Sequence, residues 1–146
     1  AQMNGWSYKY YEGEWKMLPD FYKEKMLGSG ISKGLVFDSI NKREDFWGII
    51  FSSNLLIDQE GEYTIYTTSD DGSRVLIDGK QVAIINGTHG PETGIGSITL
   101  TKGYHKIVVE YFEAIGGQSL DLAIQLKGGN RKSLPISKLY LTVPKK

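Results

Sequence analysis

Two adjacent carboxylates, Asp70 and Asp71, stand at the end of one apparent strand and just before a second, in the run Thr67-Thr68-Ser69-Asp70-Asp71-Gly72-Ser73-Arg74. Neighbouring side chains of a regular strand point to opposite faces, so both can converge on one point only where the backbone between them is irregular. Two anions brought together repel, and such a pair needs a cation or a shared proton. Calcium suits it, because it takes about six to eight oxygen ligands in flexible geometry. A solvated Asp-Asp-Gly turn, with Asp70 accepting backbone hydrogen bonds, meets the same spacing. Both readings stand on the residues alone.

Other oxygen and nitrogen donors lie in loops. Glu113 and Gln118 flank Ala114-Ile115-Gly116-Gly117, a glycine-rich stretch that could supply a second ligand loop or remain solvated. His89 sits in the turn-rich run Asn86-Gly87-Thr88-His89-Gly90-Pro91, where a bond to loop backbone is its simplest role, and His105 lies within a strand. Two histidines so far apart, with no cysteine, make a poor zinc site. Asn86-Gly87-Thr88 is also a formal glycosylation sequon. Walker, dinucleotide and zinc-protease motifs are all missing. Two carboxylates suffice for glycosidase chemistry, but nothing marks a pair as catalytic. Trp6, Trp15 and Trp47 could each stack on a sugar ring if exposed, or fill the core.

Strands must position these groups. Trp47 to Ile57 is a first strand region, and Glu62 to Thr68 alternates with Tyr63, Ile65 and Thr67 on one side. Ser73 to Ile77 and Gln81 to Ile85 flank Asp78-Gly79, which predicts a hairpin with a type I′ turn. Ile95 to Leu100 and Tyr104 to Phe112 follow, then Leu120, Leu122, Ile124 and Leu126 alternate with polar or small residues in a half-buried strand. Leu139 to Val143 is expected to return as a last strand. The first 45 residues are less regular and predict one edge strand with long loops wrapping a sandwich, Gly28-Ser29-Gly30 and Gly34 breaking any long element.

The 146 residues suit one domain, 1–146, large enough to bury a core without metals or disulfides. Seventeen basic residues against seventeen acidic ones leave no electrostatic footprint for a nucleic acid. No run of about 18 apolar residues exists, so membrane insertion is not expected either. Without cysteine there are no disulfides or thiolate sites, and the redox compartment stays open. An Ala1 start fits a processed chain, and Pro144-Lys145-Lys146 has the composition of a domain end.

Several ordered motifs carry a family resemblance. The run from Ile65 through Asp70-Asp71-Gly72-Ser73-Arg74 to Asp78-Gly79, then His89-Gly90, then Gly103-Tyr104-His105-Lys106 through Glu110-Tyr111-Phe112-Glu113, resembles the successive signatures of a PA14 domain. Tyr10-Tyr11-Glu12-Gly13-Glu14-Trp15 and Leu134-Pro135-Ile136-Ser137 are similar to modules of this family attached to bacterial glycoside hydrolases. The resemblance implies an all-β antiparallel sandwich or barrel with long loops, serving as a non-catalytic carbohydrate-binding module. In lectin-like members two adjacent aspartates joined by a cis peptide bind calcium, and the ion grips sugar hydroxyls. Carried onto this chain, Asp70 and Asp71 are the principal metal ligands, and Glu113 stands where those lectins place an asparagine. Asp70, Asp71, Gly72, His89 and Gln118 are then expected to meet the sugar. The implied partners are a glycan or polysaccharide and a catalytic glycosidase domain, and the implied location is secreted, periplasmic or cell-surface. A structural accessory domain of a glycosidase, with no sugar binding of its own, is the alternative.

Overall fold

A computed structural model describes residues 3–144; residues 1–2, Ala1 among them, and the closing Lys145-Lys146 pair lie outside the described residues. Its strands are β1 (Trp6–Glu12), β2 (Gly28–Ser32), β3 (Trp47–Ile57), β4 (Gly61–Asp70), β5 (Ser73–Ile77) and β6 (Lys80–Ile85). They continue with β7 (Glu92–Leu100), β8 (Gly103–Glu113), β9 (Ser119–Leu126), β10 (Lys132–Ser133) and β11 (Leu139–Tyr140). One sheet has the order β2-β1-β3-β8-β5-β6, with β11 also paired to β3, and the other has the order β10-β9-β4-β7. Every strand pairing is antiparallel. No helix among the described residues is long and apolar enough to cross a membrane.

Alternation builds the core. Inward residues of β3 (Trp47, Ile49, Phe51, Leu55, Ile57) meet Tyr63 and Ile65 of β4, Ile107, Val109 and Tyr111 of β8, and Leu120, Leu122 and Ile124 of β9 in one buried cluster. Burial of this kind stabilises by about 25 cal/mol per Å² of apolar surface. Asp78 and Gly79 have φ of 52° and 80°, the two positive values that a type I′ hairpin requires.

Three expectations are corrected. The N-terminal region forms two strands, and β1 is interior, between β2 and β3. Tyr10 and Tyr11 are both buried, on opposite faces: Tyr10 joins the main core, and Tyr11 packs with Phe21 and Ile50 on the outer face. Burial on both faces removes the alternation that would have marked the strand. Gly28-Ser29-Gly30 does not break structure but lies within β2, where a Cβ on Gly30 would sit 2.7 Å from the Tyr8 hydroxyl that crosses it. The last strand stops at Tyr140, because β1 already occupies the same flank of β3 up to Ser52 and leaves Asn54 and Leu55 to pair.

The order of the strands decides where function can sit. The β4–β5, β6–β7 and β8–β9 connections each pass from one sheet to the other, and all leave from the same end of the sandwich. Residue 12, at the close of β1, pairs with Trp47, which pairs with Glu113, so the segment after β1 departs from that end too.

Candidate metal and ligand site

The Asp70–Asp71 peptide bond is cis. Asp70 closes β4, and Asp71 begins the crossing to β5. Beneath them a hydroxyl ladder ties the crossing to itself: Ser69 Oγ donates to the Asp71 carbonyl at 2.8 Å, and Ser73 Oγ lies 2.6 Å from Ser69 Oγ and 2.7 Å from Thr67 Oγ1. The Tyr111 hydroxyl donates to the Asp70 carbonyl. Asp71, only 3% exposed, fastens the other two crossings: Oδ1 accepts from the His89 amide at 2.9 Å and Oδ2 from the Ala114 amide at 2.7 Å.

Glu113 comes in from the last residue of β8. Carboxylate oxygens of Asp70, Asp71 and Glu113 lie within 4.8 Å of one another. Glu113 is fully buried, and neither of its oxygens has a hydrogen-bond partner among the described residues. Burial, the adjoining Asp71 carboxylate, and the charges of Asp70 and Asp45 push its carboxyl up to about 9. Asp71, already bonded to two amides, can only accept toward Glu113, so a proton or a cation must lie between the two carboxylates to satisfy Glu113 there. Burial and the Asp71 charge also raise Asp70, against a smaller opposing effect of His89. An oxygen-rich, triply acidic cluster, with Asp71 and Glu113 buried and Asp70 half-buried, fits a hard divalent cation, with those three as the residues that would hold it.

Above this floor opens a cavity of about 550 Å³, lined by residues 14–16, Phe46, the Asp pair, residues 88–90 and residues 114–115. His89 Nδ1 lies 2.6 Å from the Gly90 carbonyl, to which it must donate, and Nε2 is buried without a partner among the described residues. Asp70, Asp71, Glu113 and His89 therefore gather at one end. Gly72 lies beneath the site: a Cβ there would be 2.5 Å from Phe112 Cε1, so the bare backbone serves close packing on Phe112. Gln118 is exposed and does not line the cavity. Trp6 and Trp47 are core residues at 1% and 0% exposure, whereas Trp15 is half-buried and faces the cavity. Phe46, with φ of 60°, joins the walls by donating to the Ala114 carbonyl at 2.8 Å and accepting from the Gly13 amide at 3.0 Å. No local pattern marks residues 14–16, 46 and 114–115 as neighbours, since tertiary folding alone brings them together.

Fold and site define an all-β sandwich with a loop-built carboxylate cluster at one end. The chain belongs to the PA14 domain family, whose model matches residues 38–137. Among solved structures it resembles the "PA14 sugar-binding domain from RTX adhesin", at 18% identity and a TM-score of 0.78, covering 96% of this chain and 99% of that one. The PA14 domain of MpAFP antifreeze protein aligns at 17% identity and a TM-score of 0.82, over 99% of this chain and 94% of that one. Epithelial adhesin 6 A domain from Candida glabrata, in complex with Galb1-3GlcNAc, aligns at 11% identity and a TM-score of 0.72, over 100% and 90% of the two chains. Among curated proteins none matches.

Proposed function

We propose that this chain is a non-catalytic, calcium-dependent glycan-binding module that acts in a secreted, periplasmic or cell-surface setting. The observation that carries the reading is Glu113: a buried carboxylate whose two oxygens have no partner among the described residues, set against Asp70 and Asp71, which line an open cavity. Asp70, Asp71 and Glu113 would hold the ion, which when bound would supply a Lewis-acidic contact for sugar hydroxyls. His89 lines the cavity beside them, its amide tied to Asp71 Oδ1. A sugar-binding PA14 domain and an adhesin domain in complex with Galb1-3GlcNAc among its structural neighbours support this reading. Bound to a polysaccharide, such a module would hold a covalently joined glycosidase domain near its substrate.

A glycan array probed in calcium and in chelator tests the reading, with Asp71→Asn as the control. Binding in calcium that disappears in chelator and in Asp71→Asn, while the variant keeps its β-sheet circular dichroism, is the expected result. Equal retention in both buffers removes the metal from the account, and no binding in either removes the glycan.

A further inference from the structure

A separate cavity of about 340 Å³ lies on the β10-β9-β4-β7 sheet, between Thr68 and Asp121 on one side and Arg131, Lys132 and Ser133 on the other. Burial alternates along β4, with Tyr63, Ile65, Thr67 and Ser69 turned inward, so Tyr66, Thr68 and Asp70 share the outer face. Thr68 pairs with Asp121, and Asp70 with Ser119, which puts the start of this groove about 7 Å along β4 from Asp70. Within it Arg131 is held in place without an acid. Its guanidinium carbon rests 4.0 Å from the centroid of the Tyr66 ring. The Tyr66 hydroxyl donates to Gln125 Oε1 at 2.6 Å, and Gln125 Nε2 donates to the Gly129 carbonyl at 3.0 Å. One relay therefore fixes both the ring and the turn from which Arg131 emerges. Among the described residues neither Arg131, Lys132 nor Asp121 forms an ion pair, although all three line the same groove.

We infer that this groove is a second, metal-independent glycan subsite, and that it takes an anionic saccharide unit whose charge is a carboxylate or a sulfate ester. The inference rests on the preceding reading for the glycan and adds the ligand's charge and a second place where it is held. A guanidinium laid on an aromatic face is fixed without using its N–H donors, which stay free as a planar fork for an anion's paired oxygens. Holding that fork in the empty groove lowers the entropic cost of binding. Lys132 adds a second positive charge, and two cations against Asp121 leave a net attraction for an anion. Asp121 fixes which way round the unit lies, because a carboxylate repels the charged substituent and accepts from ring hydroxyls. A saccharide carries both kinds of group on one ring, the anion toward Arg131 and hydroxyls toward Asp121. Because Asp70 and Thr68 share one face of β4, a chain gripped at the carboxylate cluster can continue into this groove.

Three labelled tetrasaccharides test it, each titrated against chelator-treated protein: a galacturonate oligomer, the same oligomer with its carboxyls methyl-esterified, and a chondroitin sulfate oligomer. Wild type is expected to bind at least one charged chain without calcium, more weakly as salt rises. Tighter binding of the galacturonate or of the sulfated oligomer identifies the source of the charge. Arg131→Ala should weaken the charged chain by about tenfold, and Arg131→Lys should recover only part of the loss, since a point charge lacks the fork. Calcium affinity and the urea midpoint should stay at wild-type values in both variants, which shows that they fold. On the array, neutral glycans then report the calcium site alone, while charged ones keep a salt-sensitive remainder in chelator. A methyl-esterified chain that binds as tightly as the charged ones, or Arg131→Ala that binds as tightly as wild type, overturns the inference. Charged chains that fail to bind in chelator, while calcium-loaded protein retains a neutral glycan, overturn the subsite and leave the proposed function standing. No binding of any glycan in either buffer overturns both.

Discussion

Glu113 is the residue on which the site turns. A carboxylate without partners in a buried position is costly unless something neutralises it. Glu113→Gln replaces it with a neutral group of the same shape, so it should leave the chelator-treated protein at least as stable as wild type. The same change should remove most of the stabilisation that calcium brings, about 2.7 kcal/mol at a free concentration a hundred times the dissociation constant. Melting curves with and without calcium check both halves, and a full calcium-induced rise in Glu113→Gln would take Glu113 out of the ligand set. At this scale the sequence was partly legible. The adjacent aspartates announce themselves by position, because two neighbouring carboxylates at a strand end are visible in one dimension. Trp15 is one of three tryptophans with equal claim in sequence, and only packing separates it from Trp6 and Trp47.

Among the elements, the β5–β6 hairpin carries a second titratable device at the far end of the sandwich. His105 Nδ1 lies 2.6 Å from Asp78 Oδ2, and Nε2 lies 2.7 Å from the Thr101 carbonyl, so both ring nitrogens face acceptors. Burial opposes the imidazolium, but the Asp78 hydrogen bond and charge and the Thr101 carbonyl outweigh it and hold His105 above its ordinary value. A group raised on folding contributes its full stability below the unfolded pKa and loses it as pH rises through the folded one. The stability advantage of wild type over His105→Gln should therefore shrink as pH rises through and above the ordinary histidine range. Urea unfolding of both proteins across that range measures it, and an advantage that grows with pH would contradict the assignment. Strands β3, β4, β5, β8 and β9 are legible because each buries one face strongly, or is bounded by turn residues such as Asp78-Gly79. Strand β1 is not, since Tyr10 and Tyr11 are buried on opposite faces, and neither is the early start of β7, where Thr93 meets Thr68 Oγ1 at 2.7 Å.

For the molecule as a whole, the site exists because three crossings between two sheets share one end. That arrangement depends on how closely the edge strands β6 and β7 approach. A Cβ on Gly96 would lie 1.6 Å from the Val82 carbonyl oxygen, and one on Gly94 would lie 2.2 Å from that of Ile84. These are backbone atoms and cannot turn aside. Gly96→Ala should cost about 2 kcal/mol or more in urea unfolding and should also weaken calcium binding, since the β6–β7 loop brings His89 to Asp71. A loss below about 0.5 kcal/mol would show that the sheets can part freely there. Long-range closure of this kind leaves only scattered glycines in the sequence, which is why the edge contact was not foreseen.

The most direct measurement is calorimetric titration of calcium into chelator-stripped protein, wild type beside Asp71→Asn. The account predicts a single ion bound per wild-type chain at about millimolar affinity or tighter, and none by the variant. Absence of binding to wild type across that range, or equal binding by Asp71→Asn, would contradict it.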